Sequence, residues 1–146
     1  AVQAMRGCGA QGHIVNISSN AAHRPDSGVY GSTKHAVNVI SNTLRNELEN
    51  DSIRVVTIMP GAIATNFSRN FPPALTERLL KEAGVELEAK PGERLPDDVL
   101  DKMQQAMRKF FGTADEVANA VFYAVTQPID VNVFEIVVRP PKMLSL

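Results

Sequence analysis

The chain has 146 residues, of which 44% are hydrophobic and 21% charged. That is enough for one domain with a real core, too few for two ordinary ones, and too apolar for a disordered or low-complexity chain. Fifteen basic residues against sixteen acidic ones give a formal charge of -1, so no cationic excess exists to neutralise nucleic-acid phosphates. The single cysteine, Cys8, excludes an internal disulfide and a cysteine-based zinc site, and His13, His23 and His35 have no metal partner at useful spacing. No metal is expected. No apolar run approaches the roughly 18 residues of a membrane-spanning helix, so neither membrane nor nucleic acid is an expected partner, and the cytoplasm is the expected location.

The chain opens at Ala1 with a helix-like scrap, AVQAMRG, that lacks a capping signal. It is expected to be either processed or a piece of a longer polypeptide. After the glycines at 7, 9 and 12, His13–Ser18 packs Ile14, Val15 and Ile17 into a short apolar run, the pattern of a strand buried on both faces. Ser19–Gly28 reads as a loop. From about Ser27 to Glu49 the period changes: Val37, Ile40, Leu44 and Leu48 form an amphipathic stripe, with Arg45, Glu47 and Glu49 off it and Ser27 as the expected N-cap. Ile53–Met59 is a second buried strand, halted by Pro60-Gly61.

Beyond it, Pro72-Pro73 opens a short helix through Lys81, and Pro96 begins another, with Asp97 and Asp98 favouring its positive end. Thr113 and Glu116 have capping-box spacing for a helix carrying Val117, Val121 and Val125. Val133–Val138 is a third strand. Met103 and Met107, near Phe110 and Phe111, read as packing; Phe67 and Phe71 are the better candidates for a substrate lid. The mixed charges from Glu82 to Glu93 read as a solvated loop. Apolar strands joined by helical crossovers imply an α/β fold: three parallel strands, side by side, with helices on both faces. The first strand is left with an open edge.

The sharpest local signal is Tyr30-Gly-Ser-Thr-Lys34 at the start of the long helix. Four residues make about one turn, so phenol and ammonium share one face. An isolated tyrosine titrates near about 10, too high for a base at neutral pH. A cation about 4 Å away at an effective dielectric of about 20 contributes roughly 4 kcal/mol, enough to bring tyrosinate into working range. Such a residue takes a proton from an alcohol or gives one to a carbonyl oxygen. The pair alone occurs by chance about once per few hundred residues, so its context decides. Ser18 and Ser19 end a buried strand, eleven residues before Tyr30 in the case of Ser19. Pro60-Gly61-Ala62-Ile63-Ala64-Thr65 ends the next one, and open parallel sheets bind ligands at that end.

Together, HIVNISS, Tyr30-x-x-x-Lys34, LRNEL at 44–48, IRVVTIMPG and Pro60-Gly-x-x-x-Thr65 resemble the short-chain dehydrogenase/reductase family, in its classical branch. The resemblance is close from Gly12 to Phe67 and weaker through VFEIVVRP. The ending is similar to bacterial NADP-dependent reductases of hydroxy acids and small carbonyls. It implies Tyr30 as acid/base, Lys34 as its cationic partner and a ribose ligand, and Ser19 as the residue orienting the substrate oxygen. Family members place about two more residues between that serine and the tyrosine, so Ser18 is the alternative. Pro60, Gly61, Ile63 and Thr65 would line the nicotinamide end of the cofactor, NADP or NAD.

On this resemblance the chain is the C-terminal portion of a doubly wound, Rossmann-like sheet, a single incomplete domain over residues 1–146. The glycine-rich turn that seats the pyrophosphate is absent from it. The implied function is hydride transfer between a nicotinamide cofactor and a small alcohol or carbonyl, by a homo-oligomer when full length, with the 146 residues alone inactive. Two alternatives stand beside it: a non-catalytic remnant serving oligomerisation or regulation, and a dehydratase or epimerase of the same fold.

Overall fold

The structure, a computed structural model, describes residues 1–142. In chain order it contains α1 (Val2–Cys8), β1 (Gly12–Ile17), α2 (Gly28–Glu47), β2 (Ile53–Pro60), α3 (Pro73–Glu82), α4 (Asp97–Ala106), α5 (Ala114–Val125) and β3 (Glu135–Val138). Single 3-10 turns lie at Asn20–His23 and Asn66–Asn70. Two compact units result: Ala1–Gly61 with Glu116–Val138, and Ala62–Asp115 with the described residues after Val138.

The first unit is the parallel α/β sheet that the strand pattern implies. β1, β2 and β3 lie side by side in that order, all parallel, with Ile14 opposite Val55 and Thr57 opposite Glu135. β2 is central and buried from Val55 to Met59. Its alternate side chains reach opposite faces. Ile53 and Val55 pack with Ile14, Leu44, Leu48, Val2 and Met5. Val56 and Ile58 pack with Val15 and Ile136 and with Val117, Val121 and Ala124 of α5. α2 therefore covers one face and α5 the other, while β1 and β3 form the two edges. The third strand begins at Glu135 rather than Val133, although Val133 still packs in the core and the Phe134 carbonyl accepts from Thr57 N at 3.1 Å.

The inward face of α2 differs from the stripe read in the sequence. Ile40 is 61% exposed, and Arg45, placed off the stripe, is buried. The buried positions are Gly31, Asn38, Ser41 and Arg45, joined at the C-terminal end by Leu44 and Leu48. Hydrogen bonds explain the inversion. Asn16 Nδ2 donates to Ser41 Oγ at 2.9 Å, and Asn38 Nδ2 donates to Met59 Sδ at 3.6 Å. Arg45 donates to the carbonyls of Val55 (3.1 Å) and Phe134 (3.2 Å) and to Asn42 Oδ1 (2.6 Å). Its guanidinium carbon lies 3.7 Å from the centre of the Phe134 ring. Burial pushes the Arg45 pKa down against the opposing pull of Glu135. A helix can thus dock by polar groups when its inward side chains find hydrogen-bond partners on the sheet and along the helix itself.

Two end signals also resolve differently. Ser27 precedes α2 but its hydroxyl does not cap it; Oγ donates instead to Ala21 O and Arg24 O, both at 2.7 Å. Pro96 is the N-cap of α4, one position before the helix, with Asp97 and Asp98 in the first turn as expected. The opening scrap forms α1, closed by Gly9 in the left-handed region at φ 65°. Arg6 of α1 holds Asp51 through two hydrogen bonds of 2.9 and 2.6 Å.

In the second unit, Leu79 and Leu80 of α3 pack with Leu95, Val99, Leu100, Met103, Met107 and Phe111. The methionine and phenylalanine stripe is therefore core. Ile63 forms an isolated parallel bridge with Gly112, and Phe67 meets Phe71 edge to face at 5.9 Å. No helix among the described residues is long and apolar enough to cross a membrane.

Candidate active site

All three strands of the first unit run the same way, so their carboxyl ends lie on one side of the sheet, where α2 begins. β1 stops at Ile17 because Ser18 and Ser19 turn the chain. Ser18 N still pairs with Ile58 O at 2.8 Å, while Ser19 Oγ accepts from Ala21 N at 3.1 Å and starts the 3-10 turn. The turn is fastened to the end of β2. Ser19 Oγ donates to Pro60 O at 3.4 Å, and His23 Nε2 lies 3.1 Å from Met59 Sδ. Met59 in turn receives the Asn38 amide. His23 is thus an anchor of the loop.

The loop then lies directly on the first turns of α2. A Cβ at Gly31 would collide with Ser27 Oγ and approach Ala21 O. Glycine between Tyr30 and Ser32 is a packing requirement, since the loop occupies the space a side chain would fill.

Tyr30 and Lys34 follow one turn apart. Lys34 Nζ lies 5.9 Å from the centre of the Tyr30 ring. The ammonium donates to Ile17 O at 3.1 Å, and Ser18 Oγ donates to Lys34 O at 3.0 Å. Ser18 is 3% exposed and Ser19 9%, while Tyr30 is 40% exposed. Tyr30 is accessible, and both serine hydroxyls are held by backbone groups. Pro60 closes β2, and Gly61 N donates to Val138 O at 2.8 Å, extending the β2–β3 pairing past the proline.

Serines 18 and 19, Tyr30, Lys34 and Pro60 are thereby linked through successive contacts. Ile63 and Thr65 belong to the second unit. There Ile63 bridges to Gly112, and Thr65 Oγ1 accepts from Phe67 N at 3.4 Å, starting the 3-10 turn at Asn66. The sequence offered no signal for the contributions of His23, Met59 and Asn38, because each depends on contacts between distant segments. Among the described residues no cluster of three metal-ligating side chains exists.

A farnesol dehydrogenase of Aedes aegypti is 28% identical over 146 residues, spanning 96% of this chain and 46% of its own. The closed form of a serine dehydrogenase complexed with NADP+ superposes with a TM-score of 0.64 at 28% identity, over 95% of this chain and 48% of that one. A 3-oxoacyl-[acyl-carrier protein] reductase from Brucella melitensis with bound NAD does so with a TM-score of 0.60 at 25% identity, over 97% and 44%. The chain thus spans a little under half the length of the relatives it matches. The model of the short chain dehydrogenase family matches residues 1–76, a stretch that contains β1, α2, β2 and the Tyr30–Lys34 pair. By that match, over more than half its length, the chain belongs to the short-chain dehydrogenase family.

Proposed function

We propose that the chain carries the acid/base end of an oxidoreductase that moves hydride between a nicotinamide cofactor, NADP or NAD, and a small alcohol or carbonyl. The observation that carries this reading is the Tyr30–Lys34 pair, with its ammonium bound to the carbonyl that precedes Ser18, at the carboxyl end of a parallel sheet. The similarity to a serine dehydrogenase complexed with NADP+ supports a nicotinamide cofactor and a small hydroxyl-bearing substrate.

The residues present fit one end of such a cofactor. An ammonium, a phenol and the backbone at Pro60-Gly61 suit ribose hydroxyls and a carboxamide. Within the 146 residues no glycine-rich strand-to-helix turn provides amides for a pyrophosphate. When bound, the nicotinamide supplies or accepts the hydride.

The chain's own residues manage the proton. In reduction Tyr30 Oη would give its proton to the substrate oxygen, and in oxidation it would take that proton back. Lys34 places positive charge beside the phenolate that forms. Ser19, with Ser18 behind it, holds the substrate oxygen, and the backbone bonds of both serines preset their positions. Tyr30→Phe in the full-length enzyme tests this reading. Turnover should fall about 10²–10⁴-fold, the range of general acid/base contributions, while cofactor affinity changes little. Retained turnover would remove Tyr30 from the chemistry, and product analysis separates redox from dehydration or epimerisation.

A further inference from the structure

The second unit bears an open cavity of about 330 Å³ between the 3-10 turn at Asn66–Asn70, α3 and the loop that leads to α4. Its lining runs from Ser68 to Pro96 and includes none of the residues assigned to the proton or the cofactor, although Phe71, read above as a lid candidate, is part of it. The volume is at the lower end of small-molecule sites and equals about ten water volumes of about 30 Å³ each. Phe71, Leu87, Ala89 and Leu95 supply apolar walls.

The loop that borders it is irregular but pinned. Leu95 N donates to Asn66 Oδ1 at 2.8 Å and Gly92 N to Arg69 O at 3.1 Å, which ties its far end to the 3-10 turn. Between those pins and Val85, the backbone N–H groups of Leu87, Glu88, Ala89 and Lys90 find no partner among the described residues. Three cations, Arg69, Lys90 and Arg94, line the cavity and make no ion pair among the described residues. Glu88 and Glu93 are the opposing charges and are likewise unpaired. The donors therefore outnumber the acceptors, and the cationic side carries one charge more.

We propose that this cavity binds a small amphipathic anion of about ten heavy atoms, with its apolar tail among Phe71, Leu87 and Leu95 and its carboxylate among Arg69, Lys90 and Arg94. The charge-assisted bonds give orientation and the apolar walls give area. A saturated carboxylate without hydroxyl or keto group probes the cavity without being a substrate.

The test is a titration of the ¹⁵N-labelled chain with octanoate, followed by amide shifts and calorimetry. Saturable binding below about 1 mM, with shifts centred on residues 68–71 and 87–95, is the expected result, since ten heavy atoms support that affinity comfortably. Octylammonium should bind about tenfold more weakly, and acetate should not saturate. Arg69→Gln with Arg94→Gln should weaken octanoate about tenfold, whereas Glu93→Gln should tighten it, because one opposing charge is gone. Leu87→Ser, at an exposed position, should weaken binding without touching the core. Equal affinity for octylammonium, shifts outside the lining, or unaltered octanoate binding in a folded Arg69/Arg94 double variant would each overturn the proposal.

Discussion

Ser18 and Lys34 hold one another at two points. The serine hydroxyl donates to the lysine's own carbonyl at 3.0 Å, and the lysine ammonium donates at 3.1 Å to the carbonyl of the peptide that joins Ile17 to Ser18. The end of β1 and the second turn of α2 are thereby joined by both a main-chain and a side-chain link. Lys34 in this arrangement is a structural tie as well as a charge.

Lys34→Ala should for that reason do more damage than Tyr30→Phe. It removes the ammonium beside the phenol and leaves Ile17 O without its donor. In the full-length enzyme both cofactor affinity and turnover should drop, and the melting temperature should fall modestly, since one hydrogen bond to a charged donor contributes about 1.5–3 kcal/mol. Steady-state kinetics, cofactor titration and a thermal melt check this. Unchanged cofactor affinity would detach Lys34 from the ribose.

The 146 residues alone should be catalytically silent. Without amides at a helix N-terminus to hold a pyrophosphate, the Tyr30 end of the site gains too little binding energy. Titration with NADPH and NADH, followed by an aldehyde panel, should show neither saturable micromolar binding nor turnover. Either one from a monodisperse sample would show that the cofactor is held in some other way.

Arg45→Ala should destabilise the first unit by about 2–4 kcal/mol, because it strips a buried charged donor from the carbonyls of Val55 and Phe134. Arg45→Lys should recover only part of that, as an ammonium lacks the planar fork that reaches Val55, Phe134 and Asn42 together. Urea denaturation curves of the three proteins decide it.

Thr57 predicts the opposite sign. Its hydroxyl is fully buried and finds no protein partner. Thr57→Val keeps the β-branched shape and removes an unsatisfied polar atom, whose burial costs about 1–3 kcal/mol, so stability should rise by about 1 kcal/mol. A loss on substitution would show that a bound water satisfies the hydroxyl.

Asp51 supplies a pH dependence. The Arg6 guanidinium, by hydrogen bond first and charge second, holds its carboxyl below the usual carboxylate range. A depressed pKa in the folded state means stability that is present above the unfolded value of about 3.9 and lost as pH falls through the folded one. Comparing Asp51→Asn with wild type from pH 6 down to pH 2 should show the acid-linked loss shrinking in the variant. The pair is exposed, so added salt should narrow the difference.

How much was legible varied with the kind of force involved. The strands could be read because β2 runs apolar without interruption, which only a sheet covered on both sides explains. Tyr30 and Lys34 could be read because four-residue spacing is a local property of a helix. The rotation of α2 could not. Hydropathy counted Ile40 as inward and Arg45 as outward, whereas the carbonyls of Val55 in β2 and of Phe134 just before β3 reverse both. The Arg6–Asp51 pair and the cluster of His23, Met59 and Asn38 were illegible for the same reason: each joins segments far apart in sequence by a bond that leaves no period. The two proline-linked helices were legible almost to the residue, because proline's fixed φ is a local constraint.

The polar inner face of α2 has a mechanical meaning. Two greasy surfaces tolerate sliding and small rotations, since dispersion contacts are non-directional. Asn16 on Ser41, Asn38 on Met59 and Arg45 on two carbonyls act instead like keys in slots, and a turn of a few tens of degrees about the helix axis would break them together. The azimuth of α2, and with it the direction in which Tyr30 points, is therefore set from three positions along the shaft. Substitutions at Ser41 or Asn38, remote from any reacting atom, should misaim the phenol while leaving the helix itself intact.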